Sequence, residues 1–217
     1  VAPPYVMRDP MTGNYSGFFA DLCRDFGQNV LKVKVQFVDT TWHNIVAGLQ
    51  ARGVNALGLT GADMDVIRSV KRPVKEIDYG FVGDVKEVNA DILADLIARG
   101  VVPVLAPLTH DAKGNMLNTN ADTIAGEAAK ALATHFEVTL MYCFEKKGVL
   151  LSETDDDSVI DVITPQLFEK YVNEGIISGG MIPKLENAFE AINAGVKQVV
   201  ITRADFIHTD AGTKIQK

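Results

Sequence analysis

Strand-like and helix-like segments alternate almost throughout this 217-residue chain, which predicts an α/β layered fold with a mainly parallel sheet. Two further observations agree. Helical stretches close on Gly53, Gly100 and Gly195, as helix C-termini commonly do. A content of 47% hydrophobic and 23% charged residues is ordinary for a globular chain that buries a substantial core in one or two lobes.

Taken in order, apolar runs predict strands over residues 4–7, 32–38, 54–60, 101–106, 138–143 and 198–202. Helical spacing predicts helices over residues 18–30, 43–52, 90–99, 120–135, 165–173 and 183–194. Residues 74–88 interrupt the alternation, since Asp78-Tyr79-Gly80 and Gly83-Asp84 lie between β-type residues; this predicts a hairpin projecting from the sheet. Cys143 falls in the apolar run at 138–143 and is expected to be a small buried hydrophobe.

Composition narrows the function classes. A net charge of −7 argues against nonspecific nucleic-acid binding, which wants a basic face. No apolar run approaches the ~20 residues that span a bilayer. Val1-Ala2-Pro3-Pro4 lacks a basic n-region, so a signal peptide is expected to be absent or already removed. Cys23 and Cys143 make no disulfide framework, and His43, His110, His135 and His208 show no metal-ligand spacing, so a structural metal is not expected.

Two short segments could carry chemistry. In Gly179-Gly180-Met181-Ile182-Pro183-Lys184, proline suits the first position of a helix, and Leu185, Ala188, Phe189 and Ile192 continue with helical spacing. Lys184 then sits in the first turn, where unpaired N–H groups and the helix dipole already disfavour a cation. The placement makes sense if an anion is held there by lysine and helix end together; the alternative is a solvated surface lysine. In Asn118-Thr119-Asn120-Ala121-Asp122, Asn120 is a natural N-cap and Asp122 an acidic first-turn residue. Capping leaves Asn118, a second amide just outside the helix, to bond a loop or a ligand.

Other segments are open to two readings. Glu145-Lys146-Lys147-Gly148-Val149-Leu150 follows a strand directly, where the ligand crevice of a parallel sheet lies, or it is a polar turn with Gly148 at a special φ. Leu57 to Asp63 is another strand-to-glycine exit, without the P-loop or dinucleotide-binding pattern. Arg68, Lys71, Arg72 and Lys75 form a solvated face, a subunit contact or a contact for an acidic substrate. Asp155-Asp156-Asp157 is a solvated loop, a nucleotide edge or a metal position. With no Ser-His-Asp or Cys-His arrangement legible, chemistry done by positioning and charge is favoured, as in phosphoryl transfer.

From about residue 44 to 217 the chain resembles N-acetylglutamate kinase of the amino acid kinase family. The resemblance is carried by AGLQARGVNALGLTGADMDVIRSVKRPVKEIDYGFVGDV, PVLAPLTHDAKGNMLNTNADTIAGE, YCFEKKGVLL, GGMIPKLENAFEAINAGV and the terminal GTKI. It implies a three-layer αβα sandwich and a cytoplasmic enzyme of arginine biosynthesis. Its activity would be transfer of the γ-phosphoryl of ATP, accompanied by Mg2+, to the side-chain carboxylate of an N-acetyl- or N-succinyl-glutamate. A homodimer is implied as well. Carried over by position, Asn118 would hold the acylglutamate, Asp122 would orient the active-site lysines, and Lys184 would stabilise the transferring phosphoryl group. Glu145, Lys146, Lys147, Gly148, Val149 and Leu150, with Ile177, Ser178 and Gly179, would line the nucleotide site.

Members of that family also carry Lys-x-Gly-Gly and His-Gly-Gly-Gly loops and an Asn-Gly-Arg segment, none of which occurs here. Residues 1–43 instead resemble the start of a periplasmic amino-acid-binding protein, through PPYVMRDPMTGNYSGFFADL and VKVQFVDTTWHNIVAGLQ, with Tyr5 at the ligand cleft. The organisation expected is a chimera: 1–43 solute-binding-like, 44–117 the rest of the acylglutamate lobe, and 118–217 the nucleotide lobe. Activity is expected to be impaired by the missing loops. A non-catalytic chimeric protein or an amino-acid-binding module is the other reading.

Overall fold

The structure is a computed structural model that describes residues 7–8, 15–16, 42–152 and 154–217. The expected helix at 18–30, the strand at 32–38, most of the strand at 4–7, Tyr5 and Cys23 lie outside the described residues. The elements run β1 (Met7–Arg8), β2 (Tyr15–Ser16), α1 (Trp42–Gln50), β3 (Ala56–Leu59), β4 (Ile67–Lys71), β5 (Gly83–Val88), α2 (Ala90–Ala98), β6 (Val102–Leu105), β7 (Leu108–His110) and β8 (Met116–Asn118). They continue with α3 (Ala121–Leu132), β9 (Thr139–Phe144), β10 (Val162–Ile163), α4 (Pro165–Asn173), α5 (Met181–Asn193), β11 (Gln198–Arg203) and β12 (Thr213–Ile215).

The chain forms two compact units. One comprises residues 40–140, 177–199 and 215–217. In it β3 pairs parallel with β6, and a second sheet runs β5-β4-β7-β8. Within that sheet the β4–β7 pairing, between separate segments, is parallel, whereas β4–β5 and β7–β8 are antiparallel hairpins. Leu59, Val66, Ile67, Leu93 and Ile124 form its buried apolar cluster, with Leu105 and Leu132 packed against it. Burial of such side chains is the main stabilising term, at ~1.5–3 kcal/mol each.

The hairpin expected at 74–88 has its first arm earlier, at Ile67–Lys71, and its base is part of the sheet. Pro73 cannot donate to a ladder, and it follows the end of that arm. Gly83-Asp84 is strand rather than turn. Gly83 is there because a Cβ would lie 2.8 Å from Leu117 Cβ and 3.0 Å from Ser69 Cβ.

The other unit comprises residues 1–39, 141–176 and 200–214, and its strand order is β10-β12-β11-β9. Helix α4 begins where expected: Thr164 accepts from Leu167 N, with Pro165 at the first helical position. Cys143 corrects the expectation of burial, since alternation along β9 turns Tyr142 inward and leaves Cys143 exposed.

Candidate functional site

Residues 118–122 run from the end of β8 into α3. Asn118 donates its N–H to Phe81 O at 2.8 Å and pairs in parallel with Val82. Its side chain is exposed, as is that of Asn120, while Thr119 between them is buried. Asn120 caps the helix as expected, its Oδ1 accepting from Thr123 N at 3.1 Å. Asp122 is the second helical residue.

Helix α5 starts at Met181, two residues before Pro183. The expectation of Pro183 at the first position is therefore corrected. None of the first four N–H groups has a partner within an α-helix, so proline is accommodated at the third position as well. Met181 N–H turns back to Ser178 O at 3.2 Å and Ile182 N–H to Gly179 O at 3.3 Å, with Gly179 at φ +54°. Lys184 remains in the first turn. Its Nζ donates to Asp122 Oδ2 at 2.8 Å, with the two side chains 31% and 38% exposed.

The pair therefore joins the first turn of α5 to the first turn of α3. Farther along, Lys130 bonds Glu127 at 2.6 Å and lies 4.0 Å from Glu190, and Ala128, Leu185 and Ala188 are buried. Two positive helix ends and one oriented lysine are thus tied together in one unit, an arrangement suited to an anion.

Residues 145–150 belong to the other unit. Lys146 pairs with Asp156 and Lys147 with Asp157, each at 2.6 Å, so the acidic run and the lysines hold each other. Gly148 is needed for close approach rather than for an unusual φ: a Cβ would meet Thr213 Oγ1 at 2.7 Å and Val159 Cγ1 at 2.8 Å. Val149 N–H donates to Thr213 Oγ1 at 2.7 Å, and Leu150 bridges Val159. In the first unit, the Ile177 side chain is core, while Ser178 and Gly179 are exposed.

The basic cluster is largely neutralised internally. Arg68 is paired with Asp65 and approaches Glu87 at 3.6 Å, Arg72 bonds Asp84 at 2.6 and 3.0 Å, and Lys71 lies over the Phe81 ring. The sequence reading missed the Asp65–His110 bond of 2.8 Å, which no spacing signals across 45 residues. Because His110 Nδ1 accepts from Ala112 N at 3.3 Å, the neutral ring donates from Nε2 to Asp65. Asp63 accepts the amide and hydroxyl of Thr60, which hold its carboxyl below the usual range. Among the described residues no group of three or more His, Cys, Asp or Glu could hold a metal, and no helix is long and apolar enough to cross a membrane.

A profile of the Amino acid kinase family matches residues 21–203. The chain is 74% identical to an acetylglutamate kinase of Bacteroides fragilis over 80% of its own length and 67% of that protein's. It is 40% identical to an acetylglutamate kinase of Methanopyrus kandleri over 79% of its length and 70% of that relative's. Among solved structures, one from Streptococcus mutans UA159 superposes with a TM-score of 0.66 at 29% identity, covering 92% of this chain and 83% of that one. A carbamate kinase from Giardia lamblia bound to AMP-PNP gives a TM-score of 0.57 at 16% identity, over 81% and 67% of the two chains. The three-layer α/β, mainly parallel fold read from the sequence holds.

Proposed function

Since the chain belongs to the amino acid kinase family, we propose that it transfers the γ-phosphoryl group of ATP to the side-chain carboxylate of N-acetyl- or N-succinyl-glutamate. The observation that carries this reading is the Lys184–Asp122 contact of 2.8 Å between two helix starts. ATP enters as its Mg2+ complex, the metal neutralising part of the polyphosphate charge.

A carboxylate oxygen of the acceptor attacks the γ-phosphorus, the bond to the β–γ bridging oxygen breaks, and ADP leaves with that electron pair. Both carboxylate and phosphoryl donor are already anionic, so no protein nucleophile is needed. What the chain supplies is positive charge in place. Lys184 Nζ stabilises charge on the transferring group, and Asp122 aims it. The Asn118 amide, exposed at the end of β8, holds the acceptor. Ser178 and Gly179, exposed just ahead of α5, contribute to the nucleotide side.

These 217 residues contain no Lys-x-Gly-Gly or His-Gly-Gly-Gly loop. One such charge-stabilising donor is worth ~3–4 kcal/mol of barrier, so ATP binding is expected to be retained better than turnover. Calorimetric titration with ATP and magnesium tests the reading. Saturable heat at submillimolar to millimolar nucleotide is expected, and the absence of heat at millimolar ATP contradicts it.

A further inference from the structure

We propose that Thr119 is a positioning residue for the acceptor side of this site, its buried hydroxyl fixing where Asn118 and Asn120 point. The inference rests on the phosphotransferase reading for its ligand and on geometry alone for its mechanism. Along 118–120 the side chains alternate out, in, out, and the inward one is a threonine only 2% exposed. Its Oγ1 lies 2.8 Å from Thr109 Oγ1, itself fully buried, and 3.3 Å from Gly83 O. With one proton per hydroxyl, the bonds run either from Thr109 to Thr119 to the Gly83 carbonyl, or from Thr119 to Thr109 to the Leu117 carbonyl at 3.4 Å; in both directions the two hydroxyls hold each other.

The backbone repeats the same double attachment. Thr119 N–H donates to Pro107 O at 3.0 Å and Asn118 N–H to Phe81 O at 2.8 Å. The segment is thus pinned from both sides, by 107–109 and by 81–83, at the point where it must turn from strand to helix.

Packing alone does not call for threonine here. Valine has the same shape, and a buried hydroxyl is costly unless it is bonded. That this layer does not pair hydroxyls by default is shown by Ser69: its buried Oγ has no hydrogen-bond partner among the described residues. The directional bonds of Thr119 add what valine cannot, a fixed rotation of the strand end about its axis. Small rotations there displace the two flanking amides in the same sense, and displacements near 1 Å can cost ~100-fold in a positioned reaction.

The test compares the parent chain with Thr119→Val, Thr119→Ser and the double variant Thr109→Val/Thr119→Val, titrated separately with N-acetylglutamate and with MgATP. In Thr119→Val the acceptor Kd should rise at least tenfold while the MgATP Kd stays within twofold, and Thr119→Ser should restore acceptor affinity. In Thr119→Val the Thr109 hydroxyl keeps the Leu117 carbonyl at 3.4 Å, so removing it as well in the double variant should not restore acceptor affinity, and a restored affinity there overturns the proposal. An acceptor Kd within twofold of the parent in Thr119→Val, or equal weakening of both ligands, overturns the proposal. Failure of the parent to bind acceptor overturns the function reading instead. Amide exchange then decides the positioning claim without any ligand: the 118 and 119 amides should exchange at least tenfold faster in Thr119→Val with those of β11 unchanged, and unchanged rates overturn it.

Discussion

Two lysine settings in this chain look alike in distance and differ in what they fix. Lys146 and Lys147 meet Asp156 and Asp157 at 2.6 Å, ten residues on, across an exposed loop. Lys184 meets Asp122 at 2.8 Å, sixty-two residues away, and the bond joins two helix starts. Pairs as exposed as these contribute little to stability. The lesson is that an ion pair's importance here lies in which elements it aligns and not in its length.

The sharpest way to break this contrast is Asp122→Ala. It should lower acceptor-dependent ADP release by ~100-fold or more, the size expected when a charge-stabilising group loses its aim, while the melting temperature shifts little. An unchanged rate would mean that the bond between the two helix starts does not aim Lys184. Next comes Gly148→Ala, where the new Cβ would lie 2.7 Å from Thr213 Oγ1, with backbone of the terminal strand close behind. Overpacking of this kind costs ~1–3 kcal/mol, measurable by urea denaturation, and a neutral result would mean that the turn relaxes freely. Asn120→Ala removes one cap bond and should cost ~1 kcal/mol.

The smallest effect is expected for Lys146→Ala with Lys147→Ala, whose melting temperature should stay within about a degree of the parent. Asp156 sets its pH dependence. The hydrogen bond from Lys146 holds its carboxyl below the ordinary value, so whatever the pair contributes is present above about pH 4 and fades as pH falls through the lower folded value. A double-variant melting curve that departs from the parent most at neutral pH and converges with it in acid fits this sign.

The sequence disclosed the helices best. Helix α4 occupies the expected residues because Thr164-Pro165 marks its start without ambiguity, and Asn120 announces α3 in the same way. The start of α5 was misplaced because proline is tolerated throughout a first turn, so its position alone cannot say which residue is first. Strands β7 and β8, three residues each, are too short to show a period. In β9 the continuous apolar run hid an alternation that leaves Cys143 outside. At the proposed site, residue type and position place Asn118 just outside α3 and Asp122 and Lys184 in first helical turns, while their proposed roles come from the family resemblance. The bonding of Thr119 is not legible in the sequence, because its contacts with Thr109 and Gly83 depend on strands that the pattern does not reveal.

The most direct measurement is ADP release with MgATP and N-acetylglutamate, comparing the chain with its Lys184→Ala variant. Acceptor-dependent release should be detectable in the parent and fall ~100–1,000-fold in the variant, with the fold intact by circular dichroism. Equal rates in the two proteins would contradict the assignment of Lys184 to the transferring phosphoryl group.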